Sequence, residues 1–151
     1  MINKRVAASS LVVTAATLVG IAANEGFSPV TYLDSVGVPT IGFGETSNVA
    51  IGQKTTVVRS LKQLESSMDA HAKGMTACIH VPISQNEYDA YLDFTYNVGV
   101  SAFCGSTLNK KLNNQDYAGA CKELLKWNTA GGKVEPGLTK RRTEEYDKCQ
   151  S

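Results

Sequence analysis

The 151-residue sequence has little of several things that would settle its class at once. It lacks an excess of one charge. Fifteen Lys and Arg stand against fourteen Asp and Glu, so no field argues for a nucleic-acid partner. It has two histidines, His71 and His80, neither spaced from a cysteine as a zinc site requires, and it has no CxxC. No metal and no cofactor are expected. Four cysteines are few for a disulfide scaffold of this length. Repeats, low-complexity tracts and linkers are missing too, and at 42% hydrophobic with balanced charge the chain is not of the disordered class. What remains is one globular body with a proper core, expected to act as a monomer.

A strongly apolar run is also lacking. The nearest thing follows Lys4 and Arg5: an uncharged stretch from Val6 to Ala23, about 18 residues and ~27 Å as a helix, barely enough to cross a hydrocarbon core. Only Val6, Leu11, Val12, Val13, Leu18, Val19 and Ile21 are strongly apolar; the rest is Ala with Ser9, Ser10, Thr14, Thr17 and Gly20. Three readings fit. It is a secretory signal cleaved after the small residues Ala22 and Ala23, a weak anchor that is kept, or a buried core helix, although it has no polar face. In both export readings the Lys4–Arg5 pair stays cytoplasmic and the body crosses the membrane. Export makes disulfides expected among Cys78, Cys104, Cys121 and Cys149, for which three pairings exist.

Beyond the run, residues 24–46 are punctuated by glycine. Thr31-Tyr32-Leu33 and Val38-Pro39-Thr40-Ile41 read as short strands around a turn at Ser35-Val36-Gly37, with Pro39 requiring an edge strand. Thr55 or Thr56 N-caps a helix with Val58, Leu61, Leu64 and Met68 on its apolar side. Ser84-Gln85-Asn86-Glu87 is a capping box opening a helix that Gly99 ends. Shorter helices start near Ser106 and after Asp116, the latter carrying Ala120, Leu124 and Trp127. A loop through Gly131-Gly132 and Pro136-Gly137 leads to a last helix from about Thr139 to Cys149. The fold class is α+β, mostly helical with a small β-hairpin near the start of the body. Cys121 and Cys149 lie on two helices joined by the Gly-rich loop, a placement that would pair them and leave Cys78 for Cys104.

Chemistry concentrates in residues 25–44. Glu25 closes the apolar segment, while Asp34 and Thr40 flank the hairpin turn. If the helix ending at Glu25 packs on the hairpin, two carboxylates and a hydroxyl meet. Glycoside hydrolysis needs such a set: an acid kept protonated, an opposing carboxylate that stays ionised, and a group that holds water. By themselves these residues are equally well a solvated Glu and Asp and an edge-strand Thr.

The pattern Glu, eight residues, Asp, five residues, Thr, then Ile41-Gly42-Phe43-Gly44 resembles the active-site signature of the phage-type lysozymes, glycoside hydrolase family 24. The blocks Phe94-Thr95-Tyr96-Asn97-Val98-Gly99 with Ser106-Thr107-Leu108 and Asn113, and Trp127, Gly131-Gly132, Gly137-Leu138 and Arg141-Arg142 with Glu145, are similar to the family's central and C-terminal signatures. The resemblance implies a lysozyme-like fold and an endolysin of a phage of Gram-negative bacteria. It implies Glu25 as general acid, Asp34 acting on water and Thr40 positioning it, in an inverting hydrolysis of the β-1,4 bond from N-acetylmuramic acid to N-acetylglucosamine in peptidoglycan. Tyr96, Asn97 and Arg141 become candidates for substrate binding. The alternatives are core packing for Tyr96 and, for Arg141 and Arg142, pairing with acids such as Glu145 across one helix turn. One departure stands out: Glu45-Thr46 follows Gly44 where the family shows His and then Thr or Leu, adding like charge near the site. The competing activities are a lytic transglycosylase and an inactive, membrane-tethered wall-binding module.

The resemblance also bears on residues 1–23. Cleavage after Ala23 would leave Glu25 second in the mature chain, on a frayed end unfit to hold a general acid. A retained segment is therefore expected, similar to the signal-arrest-release segments of some phage endolysins. It would sit in the host inner membrane with the body on the periplasmic face, then leave and pack on the body. Some relatives block the site through a cysteine in the anchor; here no cysteine precedes Cys78.

Overall fold

The computed structural model describes residues 4–151, which form two compact units: Ala15–Asp69, and the described residues up to Thr14 together with Ala70–Ser151. Among the described residues, helices dominate and the strands make two small antiparallel hairpins.

In the first unit α1 (Ala15–Glu25) buries Thr17, Ile21 and Ala22, which share one face at helical spacing. The expected helix from Val6 to Ala23 is thus shorter and ends later. Residues before α1 take other forms: Val6 bridges to Ile83 and Ala8–Ser10 is a 3-10 turn. Ser10 explains part of this, because its Oγ donates to the Ala7 carbonyl at 2.7 Å, a local bond that competes with the α-helix. Among the described residues no helix is long and apolar enough to cross a membrane. Gly26, at φ +71°, ends α1 with its N–H on the Ala22 carbonyl at 3.1 Å.

The hairpin follows as β1 (Ser28–Leu33) and β2 (Pro39–Gly42), with Tyr32 opposite Thr40, Leu33 opposite Pro39 and a bulge between Ser28 and Tyr32. Pro39 is tolerated because, among the described residues, β2 is an edge strand of a two-stranded sheet. Outside β1 run residues 53–55: the Thr31 N–H donates to the Gln53 carbonyl and the Thr55 N–H to that of Pro29. Thr56 caps α2 (Val57–Ala77) through the Arg59 N–H at 3.3 Å. Its buried row is Ser60, Leu64 and Met68, continued by Ala72 and Met75. Val58, expected on this row, is 66% exposed, because the row returns every fourth residue from Leu64 to Ser60.

The second unit is helical around Tyr88, Tyr91, Phe94, Phe103, Leu108 and Leu124, all buried. The capping box forms at α3 (Gln85–Val98), where Ser84 Oγ accepts from the Glu87 N–H and the Glu87 carboxylate from the Ser84 N–H; Gly99 closes the helix at φ +92°. Ser106 caps α5 (Thr107–Asn113) and Asp116 caps α6 (Tyr117–Leu124). Between α3 and α5 lies α4 (Val100–Gly105), too short to show periodicity in the sequence. The presumed loop after Trp127 contains a second hairpin, β3 (Thr129–Ala130) and β4 (Lys133–Val134), turning on Gly131 and Gly132 at φ +56° and +77°. The last helix, α7 (Pro136–Gln150), starts before Thr139 because Pro136 occupies its first turn, where a missing N–H costs nothing. α7 packs on α3 and α6, and α5 on α6. Disulfides join Cys78 to Cys104 and, between α6 and α7, Cys121 to Cys149.

Candidate active site

Glu25, Asp34 and Thr40 all lie in the first unit, each placed by a separate local device. Glu25 is the last residue of α1 and half-buried. Its position relative to the hairpin is read at Gly44, where a β-carbon would stand 3.5 Å from Glu25 Oε2. Phe27 and Phe43, one residue beyond Gly26 and one before Gly44, stack with ring centroids 5.2 Å apart. This aromatic pair pins the end of the helix to the end of β2 and gives the junction an apolar wall.

Asp34 opens the turn between the strands. Its Oδ1 accepts from the backbone N–H groups of Val36 at 2.9 Å and Val38 at 2.8 Å, so the carboxylate organises the turn it belongs to. Among the described residues both of these bonds fall on Oδ1, which leaves Oδ2 outside the turn's hydrogen bonding. Thr40, 4% exposed, donates from Oγ1 to the Val38 carbonyl at 3.0 Å. The same carbonyl accepts the Asp34 N–H at 3.0 Å. Asp34 and Thr40 are thereby tied to one backbone group, and their hydrogen-bonding leaves the Thr40 lone pairs as acceptors.

Two glycines make this approach possible. Gly42, at φ +65°, lies against α2: a β-carbon there would be 2.5 Å from Ser60 Oγ and 2.9 Å from Ser60 Cβ. Gly44, at φ +85°, borders Glu25 as described. The Ile-Gly-x-Gly sequence is therefore a demand of backbone shape and clearance. Glu45, the departure from the resemblance, turns its carboxylate onto the Ser47 N–H at 2.6 Å, while its backbone pairs both ways with Ile41.

The candidates of the second unit divide. Tyr96 is half-buried and stacks on His71 at 5.0 Å. Asn97 is exposed, and its Oδ1 accepts from Arg142 Nη2. Arg141 is buried, 2.6 Å from Asp93 and 3.5 Å from Glu145, which is the ion-pair alternative of the two weighed for it. The residue the sequence underrated is Arg142. It is 1% exposed, donates to Glu145, Asn97 and the Trp127 carbonyl, and lies over the Phe94 ring at 4.8 Å. Burial pushes the Glu145 carboxyl up to about 7, against the two arginines that favour its charge. The spacing Arg-Arg-x-x-Glu was the available clue. Among the described residues no group of three or more His, Cys, Asp or Glu is arranged to hold a metal.

Comparison with known proteins gives the family of the chain. The family model described as Phage lysozyme matches residues 22–145. The endolysin of Salmonella phage P22 is 36% identical over 125 residues, 80% of this chain and 86% of its own. The SAR-endolysin of bacteriophage PS119 is 33% identical over 148 residues, 95% of this chain and 89% of its own. A crystal structure of a P22 lysozyme mutant superimposes with a TM-score of 0.83 at 32% identity, covering 92% of this chain and 98% of that one.

Proposed function

The chain belongs to the phage lysozyme family, and from that premise we propose that it is a phage endolysin, a muramidase that lyses the host by hydrolysing the β-1,4 bond between N-acetylmuramic acid and N-acetylglucosamine. The observation carrying the assignment is the set Glu25, Asp34 and Thr40 on one unit, with Glu25 at Gly44 and Asp34 and Thr40 sharing the Val38 carbonyl. Glu25, beside the Phe27–Phe43 wall, protonates the glycosidic oxygen. Asp34 Oδ2 takes a proton from a water on the opposite face of the sugar. Thr40 Oγ1, its own proton committed to Val38, accepts the water's other hydrogen and aims its lone pair. The water enters from the face opposite the leaving group, so the anomeric configuration inverts.

A lytic transglycosylase would have no use for a held water, and Asp34 and Thr40 would then be idle. Mass spectrometry of soluble products from purified peptidoglycan separates the two. Hydrated, reducing muramic ends are expected; products lighter by one water would overturn the assignment. Glu25→Gln is expected to lose roughly 10²–10⁴-fold in rate, and a variant that still lysed cells would instead favour a non-catalytic wall-binding role.

For residues 1–23 the reading is an anchor that is kept and later released into the periplasm. This is supported by the likeness to a relative named SAR-endolysin over 95% of the chain and by α1 carrying Glu25 at its end. Membrane potential supplies the hold: each of Lys4 and Arg5 is retained on the negative side by about 2.3 kcal/mol per 100 mV. Depolarisation removes this term and leaves a weakly apolar run whose best partner is protein. Among the described residues, a β-carbon at Gly20 meets nothing within 4 Å beyond its own helix. Replacing Gly20 and Thr14 by Leu is thus expected to lock the chain in the membrane and abolish lysis; normal lysis by that variant would sink the reading.

A further inference from the structure

Ahead of α1, Arg5 is held both at its edge and on its face. Its Nε lies 3.1 Å from each oxygen of Glu87 and its Nη2 is 2.7 Å from Oε1. The guanidinium carbon stands 3.6 Å over the centre of the Tyr117 ring. Glu87 is 2% exposed, and its Oε2 already closes the capping box on the Ser84 N–H. Tyr117 is fixed from its other end by its hydroxyl, which donates to the Pro82 carbonyl at 2.9 Å. Next to Arg5, Val6 exchanges two backbone hydrogen bonds with Ile83, at 2.9 and 2.8 Å, and Ala8 is buried. Farther along, Gln85 Nε2 holds the Val12 carbonyl at 3.0 Å. All of these groups belong to one unit.

We infer that Glu87, Tyr117 and Ile83 form a receptor site for the chain's own residues 5–8, and that Arg5 is the latch which holds the segment on the protein once it has left the membrane. This rests on the anchor reading above. The chemistry suits a guanidinium and not an ammonium: a carboxylate accepting along the edge of a planar fork, with an aromatic face beneath it. A buried carboxylate missing its cation is unfavourable, so an emptied site favours the segment's return. The same positive charge therefore serves both ends of the switch. In the membrane it answers to the potential, and after release it answers to Glu87.

Two variants test the latch. Arg5→Lys keeps the charge, and so the electrical hold, but loses the fork. Tyr117→Leu leaves the segment's sequence untouched and removes the ring. Hydrogen exchange on the purified full-length protein reads the Val6 and Ile83 amides, each of which donates to the other residue's carbonyl. In both variants these two amides are expected to exchange at least tenfold faster while those of Leu92 and Leu108 stay as protected as in the wild type. In cells, both variants are expected to enter the membrane fraction normally and to yield a severalfold smaller soluble fraction at a fixed dose of depolarising agent. Unchanged exchange at Val6 and Ile83 overturns the latch, as does wild-type release in both variants. A wild-type chain that never enters the membrane fraction overturns the anchor reading itself. That failure is told apart because it precedes any difference between wild type and variants.

Discussion

Substituting Gly42 by Ala tests why the hairpin can bring Thr40 to its place. The residue sits at φ +65°, where an L side chain costs about 1–2 kcal/mol. Its β-carbon would also lie 2.5 Å from Ser60 Oγ and 2.9 Å from Ser60 Cβ. Rotating the serine hydroxyl relieves only the first contact. The second needs backbone movement, a form of overpacking worth roughly 1–3 kcal/mol. Together the two effects predict a loss of about 2–5 kcal/mol, which at roughly 2–4 °C per kcal/mol lowers Tm by about 4–20 °C. Ser60→Gly separates the effects. Alone it is unfavourable, because it weakens α2 and removes the 3.0 Å contact between Thr55 Oγ1 and Ser60 Oγ. Combined with Gly42→Ala it frees the room the new methyl needs but leaves the φ strain. A double-mutant cycle by denaturant unfolding should therefore show a favourable coupling of roughly 1–3 kcal/mol, with the remainder persisting in the double variant. Gly42→Ala within about 0.5 kcal/mol of wild type, or no coupling to Ser60, would refute the clearance argument.

Other outcomes follow from the same structure. Asp34→Asn keeps an oxygen for the Val36 and Val38 N–H groups, so it should unfold like the wild type yet lose roughly 10²–10⁴-fold in peptidoglycan hydrolysis; Asp34→Ala should lose about 1 kcal/mol of stability as well. Opening either disulfide by Cys→Ala pairs, with sequence separations of 26 and 28, should cost about 3.5 kcal/mol by loop-closure entropy, and a loss under 1 kcal/mol in calorimetry would contradict the constraint. Glu145, at about 7 in the folded protein against an ordinary 4.5, contributes stability that is complete below about 4.5 and lost as pH rises through about 7. Wild-type stability should accordingly fall relative to that of Glu145→Gln from pH 5 to pH 8, and a relative stability that stays flat over this range would show the carboxyl to be ionised throughout.

What could be read in the sequence was whatever a local rule governs. Ser84 with Glu87, Ser106 and Asp116 announce helix starts because a cap is a bond between neighbours. The Ser35-Val36-Gly37 turn and the edge position of Pro39 were legible for the same reason. The misreadings came where distant residues decide. Val58 looks apolar enough for the core, yet the buried row passes through Ser60, since a small residue is needed where Gly42 approaches. Nothing near Val6 says that Ile83 will take its backbone groups and break the expected helix. Of the site, the candidate residues and the likeness of their spacing were visible; the shared Val38 carbonyl, the Phe27–Phe43 pair and the reach of Arg142 were not, because each is a contact across the fold.

All four cysteines fall after Asp69, and Glu25, Asp34 and Thr40 all fall before it. The cross-links and the proposed catalytic residues are thus written on different stretches of the polypeptide. Reduction would open both cross-links without breaking any bond within residues 15–69, the stretch that carries the proposed catalytic set.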